Sequence, residues 1–199
     1  MDRSVLQDKI FGCWLGKNIG GTLGAPLEGQ KNPKPLPLEF PEVNVPNDDL
    51  DLQLVWLDLL REKGLRITAD DLMYAWKKIG YSFDEYGIAK ANIERGLRPP
   101  LTGSFNNYFS ECMGCPIRSE IWAVVAAGMP DTAAYYAMID GIVDHAGESV
   151  YSEIFFAVLE SVAFEESDIL ALIRKALAYV PESSEMRQAV EETVAAWQA

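Results

Sequence analysis

The stretch Ser167-Asp168-Ile169-Leu170-Ala171-Leu172-Ile173-Arg174-Lys175-Ala176-Leu177-Ala178-Tyr179-Val180-Pro181 sets the fold class. Its apolar residues Ile169, Leu170, Leu172, Ile173, Ala176, Leu177 and Val180 recur at the i, i+3, i+4, i+7 spacing of a helix with one buried face. A polar start at Ser167 and a proline at Pro181 bound it. Working outward, the same periodicity predicts helices near residues 4–23, 48–63, 69–79, 84–95, 118–128, 131–144, 148–164 and 184–198. Thr68 and Asp131 suit the cap regions, while Gly64, Gly80 and Gly96 suit the stops. No run alternates as a strand would, so the fold class is all-α. One domain over 1–199 is expected.

Two segments break the pattern. Residues 24–46 hold Pro26, Pro33, Pro35, Pro37, Pro41 and Pro46, which remove backbone donors and forbid a continuous helix. Residues 97–117, with Pro99-Pro100, Gly103, Asn106-Asn107 and Gly114, read as loop. Long irregular connections in a helical domain tend to carry function or to be disordered.

Composition narrows the function. The 199 residues carry 17 Lys and Arg against 30 Asp and Glu, a formal charge of −13. That repels nucleic acid and anionic lipid, so neither is an expected partner. With 49% hydrophobic and 24% charged residues, the chain has globular composition. No stretch is long and apolar enough to span a bilayer, and no signal peptide opens the chain; a cytoplasmic location is expected. Three cysteines without an export signal favour free thiols. Cys112 and Cys115 form a C-x-x-C with no matching ligand pair for zinc and no βαβ setting for redox chemistry.

The first helix carries glycines at 12, 16, 20 and 24, each costing roughly 1 kcal/mol relative to Ala in a helix interior. Close approach to another helix or to a ligand would offset this. Glu28, in Leu23-Gly24-Ala25-Pro26-Leu27-Glu28-Gly29, is either a solvated loop residue or a carboxylate placed to bind a hydroxyl, activate water or hold a metal. Pro46-Asn47-Asp48-Asp49-Leu50-Asp51 heads an apolar helix. Asn47 suits the N-cap, and the helix dipole favours one or two of the three carboxylates. All three invite a hard cation such as Mg²⁺, Mn²⁺ or Ca²⁺. Helical geometry places Asp48 and Asp51 within about 60° of each other, with Asp49 pointing elsewhere. Arg118 reads as a phosphate or carboxylate partner or as a structural salt bridge, and His145 as a charge at a helix end.

In this order the elements resemble the ADP-ribosylglycohydrolase family. Asp8 to Gly16, continuing to Leu23-Gly24-Ala25-Pro26-Leu27-Glu28, is similar to the family's glycine-spaced opening helix ending in a functional glutamate. Asn47-Asp48-Asp49 resembles its Thr-Asp-Asp metal motif. Gly114 to Arg118, followed by a helix ending at His145, resembles its Asn-Gly-x-x-Met-Arg loop and later Thr-His. The resemblance implies an all-α fold, two Mg²⁺ or Mn²⁺ ions, and hydrolysis of an ADP-ribosyl bond on a protein or a small ADP-ribose derivative. It implies metal ligation by Asn47, Asp48 and Asp49, and catalytic roles for Glu28 and Asp48. It also places Gly114, Arg118 and His145 in substrate binding.

The sequence departs from that pattern at Asn47, Leu50, Met113 and Asp144, and it holds no Asp-x-Asp-Thr, the family's second metal motif. The helical pattern still runs at Ala199, which predicts a fragment truncated at its C-terminus. Weak or absent metal binding and little activity are therefore expected of this chain, the alternative being a non-catalytic helical module that binds ADP-ribose or a protein.

Overall fold

The computed structural model describes residues 1–31 and 47–199, so Pro33, Pro35, Pro37, Pro41 and Pro46 lie outside the described residues. Ten α-helices and no strand occur among the described residues: α1 Arg3–Gly24, α2 Asp48–Lys63, α3 Ala69–Ala75, α4 Asp84–Glu94, α5 Leu101–Ser104, α6 Glu120–Val125, α7 Pro130–Asp144, α8 Gly147–Val162, α9 Ile169–Leu177 and α10 Glu185–Gln198. None is long and apolar enough to cross a membrane.

Local chemistry sets most boundaries. Thr68 and Asp71 form a reciprocal capping box at the start of α3, satisfying two otherwise orphaned amides. Asp168 caps α9 by accepting from the Ala171 amide at 2.7 Å. Gly64 closes α2 at φ +74°, a conformation that side chains resist. Two expectations change. The segment 97–117 contains the short helix α5, and the helix expected over 118–128 is a 3-10 turn, Pro116–Arg118, followed by the shorter α6. Asp131 lies inside the first turn of α7, because Pro130 already occupies its first position.

Helices α7 and α8 pack along each other and carry the two cores. On one side, Trp56, Trp76, Trp122, Leu52, Leu72 and Val143 fill a cluster drawn from α2, α3, α6 and α7. Trp56 meets Trp76 edge-on at 6.0 Å, and Trp122 stacks on Tyr136 at 5.4 Å. On the other side, Phe155, Val158 and Val162 of α8 receive Leu172, Ala176, Leu177 and Val180, the face read from the opening stretch.

Helices α1 and α10 differ from the rest in having no buried residue, and α1 is the one that carries the glycine stripe. A Cβ added at Gly12, Gly16, Gly20 or Gly24 would meet nothing within 4 Å. The glycine stripe therefore makes no tight helix contact among the described residues. Trp14 packs partly into the larger core, while Lys9 donates to the Phe164 carbonyl at 2.7 Å.

Candidate active-site cleft

The end of α1 and the start of α2 enclose a cleft of about 690 Å³. Its walls include Gly20, Gly21, Gly24, Glu28, Asn47, Asp48 and Asp49, with Lys17 on the α1 side. Pro26, which suits the first turn of a helix, starts a 3-10 turn, Ala25–Leu27, as α1 ends. Glu28 leaves this turn exposed, with extended ψ, at the rim.

Asn47 stands at the N-cap of α2 and its carbonyl accepts from the Leu50 and Asp51 amides at 3.1 and 2.9 Å. Its side chain makes no capping bond, so the amide oxygen is not spent on the helix. Gly21 faces it: a Cβ there would come within 3.0 Å of Asn47 Nδ2. A side chain at 21 would make the Asn47 amide shift by a few tenths of an ångström.

Asp51 and Asp48 turn toward neighbouring tyrosines, Tyr81 and Tyr86, whose rings lie 6.4 Å apart, as the wheel places them. Asp51 is exposed and accepts from Tyr81 Oη at 2.8 Å, whereas Asp48 and Asp49 together line the cleft. Tyr81 draws Asp51 to the outer side. Asp48 Oδ2 lies 3.3 Å from the Tyr86 hydroxyl. Asp49 is half-buried, and burial pushes its carboxyl up; Lys17 pulls it down, and Asp48, Glu120 and Glu28 push it up again.

Arg118 and His145 lie behind the cleft rather than on its surface. Arg118, Asp140 and Asp144 are all 0% exposed. Asp140 and Asp144 sit one turn apart on α7. Arg118 donates to Asp140 from Nε at 3.1 Å and Nη2 at 3.2 Å, and to Asp144 from Nη1 at 3.1 Å and Nη2 at 2.6 Å. Nη1 also donates to the Gly114 carbonyl at 2.9 Å, and the guanidinium lies over Trp76 at 5.4 Å. This is the salt-bridge reading of Arg118: its donors are committed inside the protein.

His145 sits between Asp144 at 2.9 Å and Glu85 at 3.5 Å. Burial lowers its pKa, but Asp144 and Glu85 outweigh that and raise it. Burial likewise pushes Asp144 up, and Arg118 and His145 overcome it, so its carboxyl lies below the usual range. Gly114 is packed so tightly that a Cβ would collide with the Glu85 carboxylate and stand 3.0 Å from the His145 ring. The Tyr86 hydroxyl joins the two regions, 3.3 Å from Asp48 Oδ2 and 3.3 Å from the Gly114 carbonyl. Gly114, Arg118 and His145 are thus brought together with one another, and Tyr86 links them to the cleft.

Several residues escaped the sequence reading. Gln53 is a buried polar residue on the core face of α2. It donates from Nε2 to the Asp49 carbonyl and to Glu120, each at 2.9 Å, and accepts from the Ile121 amide. Its signal was a glutamine between Leu52 and Trp56 on an apolar helix. Asp140 and Asp144 carried a signal too, a four-residue spacing on an otherwise apolar helix.

The cysteines are free and do not act as a pair. Cys112 is exposed, whereas Cys115 is buried 3.1 Å from the Ser149 hydroxyl. Among the described residues no three His, Cys, Asp or Glu side chains converge tightly enough to hold a metal by themselves. The donors on the cleft are two carboxylates and an unspent amide oxygen, with Glu28 at the rim. Such a hard oxygen set fits a cation that keeps much of its water, as Mg²⁺ does.

The model of one protein family, ADP-ribosylglycohydrolase, matches residues 2–199, essentially the whole chain. No curated protein and no solved structure shows a match. The chain belongs to the ADP-ribosylglycohydrolase family.

Proposed function

From that membership we propose that the α1–α2 cleft is the site of metal-assisted hydrolysis of an ADP-ribosyl glycosidic bond. The substrate would be an ADP-ribosylated protein or a small ADP-ribose derivative. The observation that carries this reading is the pairing of Asp48 and Asp49 on one cleft wall, facing small glycines, with the Asn47 amide unspent and Glu28 at the rim.

Asn47, Asp48 and Asp49 would hold Mg²⁺ or Mn²⁺, which when bound supplies charge stabilisation and orients the ribose hydroxyls. Glu28, at the open edge, takes a proton from the attacking water or hydrogen-bonds it. Asp48 acts beside it from the opposite wall, held by the Tyr86 hydroxyl. The glycines of α1 leave room for a sugar to lie against backbone. Gly114, Arg118 and His145 support substrate binding from beneath, by fixing Tyr86 and the floor it stands on.

Cation binding in this 199-residue chain is weak, and turnover slow, because Asp48 and Asp49 share one wall, Glu28 stands at the rim and the sequence holds no Asp-x-Asp-Thr. That same gap favours a second reading, a helical module that binds ADP-ribose or a protein without cleaving it. Calorimetric titration with Mg²⁺ and Mn²⁺, with and without ADP-ribose, beside an Asp48→Ala, Asp49→Ala double variant, tests both. Saturable metal binding that the double variant loses supports the hydrolytic site. ADP-ribose binding that is indifferent to metal and to the double variant favours the module, and fast turnover by the chain would sink the low-activity part.

A further inference from the structure

The acidic cleft already contains a positive charge that the hydrolytic reading does not use. Lys17 lines it, and is the one basic residue that does so among the described residues. It reaches there from α1, where it interrupts a run of small and apolar residues and replaces what would otherwise be another uncharged position on a glycine-rich helix.

The ammonium is fixed. Nζ donates to the Ile117 carbonyl at 2.5 Å and pairs with Glu120 Oε1 at 2.9 Å, and the two side chains are only 14% and 15% exposed. Glu120 is itself anchored, because its other oxygen accepts from Gln53 Nε2 at 2.9 Å. Gln53 Nε2 also donates to the Asp49 carbonyl. Lys17, Glu120, Gln53 and the first turn of α2 therefore form one connected unit, which ties the cation to the backbone carrying Asp48 and Asp49.

Resting on the reading of the cleft as a metal site, we infer that Lys17 is its resident cation: a positioning residue that balances Asp49 and Glu120 when no divalent ion is present and opposes such an ion when one enters. A half-buried positive charge is screened much less than a surface one, so it must repel a second cation entering the same cleft. It cannot leave without breaking its bonds to Ile117 and Glu120. Electrostatics agrees: Lys17 is the cationic group acting on Asp49, against three carboxylates that push the other way. Glu160, behind Glu120, feels Lys17 in the same sense. One ammonium thus serves several carboxylates, leaving the cleft net negative but less so than its aspartates suggest.

The test is Mn²⁺ binding to the 199-residue chain, read by electron paramagnetic resonance of the free ion, for wild type, Lys17→Met and Lys17→Arg. Removing the charge while keeping most of the stem should tighten Mn²⁺ binding by about tenfold, and Lys17→Arg should bind no tighter than wild type. A merely structural lysine predicts the opposite sign, since a loosened cleft binds metal less well. If wild type binds and Lys17→Met binds no tighter, this inference alone fails. If neither binds at millimolar metal, the metal reading falls with it. Should Lys17→Met not fold, as a thermal melt in chelator would reveal, ¹⁵N-lysine spectra of the wild-type chain decide. A saturable shift of the Lys17 Nζ signal with Mg²⁺ supports the inference, and an unmoved signal overturns it.

Discussion

Arg118 and Lys17 are each a single cation facing several carboxylates, yet the two clusters are built in opposite ways. Around Arg118 every guanidinium nitrogen has a partner, both aspartates are fully buried, and Trp76 closes one face. Around Lys17, Glu120 is mostly buried, but Asp48 and Asp49 open onto a cleft. Charges that must be desolvated are tolerated only when paired and hydrogen-bonded. The inner cluster meets that condition from its own residues. The outer one does not have to, because water reaches it, and that leaves it able to take a ligand.

The contrast fixes an order of effects. Replacing Arg118 with Met strands two buried aspartates, and should cost about 3–5 kcal/mol in urea unfolding, with loss of folding at 37 °C as the extreme form. A stable Arg118→Met chain would break the comparison outright. Next, Gly114→Ala drives a methyl into Glu85 and His145 and should cost about 1–3 kcal/mol by the same measurement, while leaving the cleft carboxylates in place.

A pH effect comes from the carboxylates behind Lys17. Burial, with the Glu120 charge adding to it, pushes Glu160 from 4.5 up to about 8. A raised carboxyl pKa means the folded state holds the proton more tightly. That contribution is complete below pH 4.5 and is lost as pH rises to about 8. Unfolding free energy should therefore fall by up to about 5 kcal/mol across that window, and Glu160→Gln should flatten the slope. An unchanged slope would mean that the cluster is better solvated than its geometry suggests. The smallest stability change belongs to Asp49→Asn, within about 0.5 kcal/mol, because neighbouring carboxylates already oppose its ionised form. Its effect should appear instead as the loss of any Mn²⁺-induced rise in Tm.

Much of this was legible in the sequence because helices announce themselves by period, caps and stops. The α9 stretch read correctly for Leu172, Ala176, Leu177 and Val180, though Ile169 at its start is exposed, and Thr68 and Gly64 sit where cap chemistry places them. What escaped depended on contacts distant in the chain. The wheel could pair Asp48 with Asp51 but not show that Tyr81, thirty residues on, engages Asp51 while Asp48 stays on the cleft wall. Arg118 could be read as ligand or salt bridge until Asp140 and Asp144 were seen to face it. The four glycines of α1 promised close packing, but spacing alone reports which residues share a stripe and not what, if anything, lies against it.

That exposed helix has a kinetic consequence. Amides in α7 and α8 exchange with solvent only when both cores come apart, whereas α1 is retained by Trp14, the ammonium of Lys9 and the unit around Lys17. Few apolar contacts are lost when it lifts, so its opening is a local event of low free energy. Deuterium should therefore enter α1 before α7 and α8. One wall of the cleft belongs to a weakly protected helix and the other to a helix anchored in the larger core, so occupancy of the cleft is best detected as slowed exchange along residues 17–24.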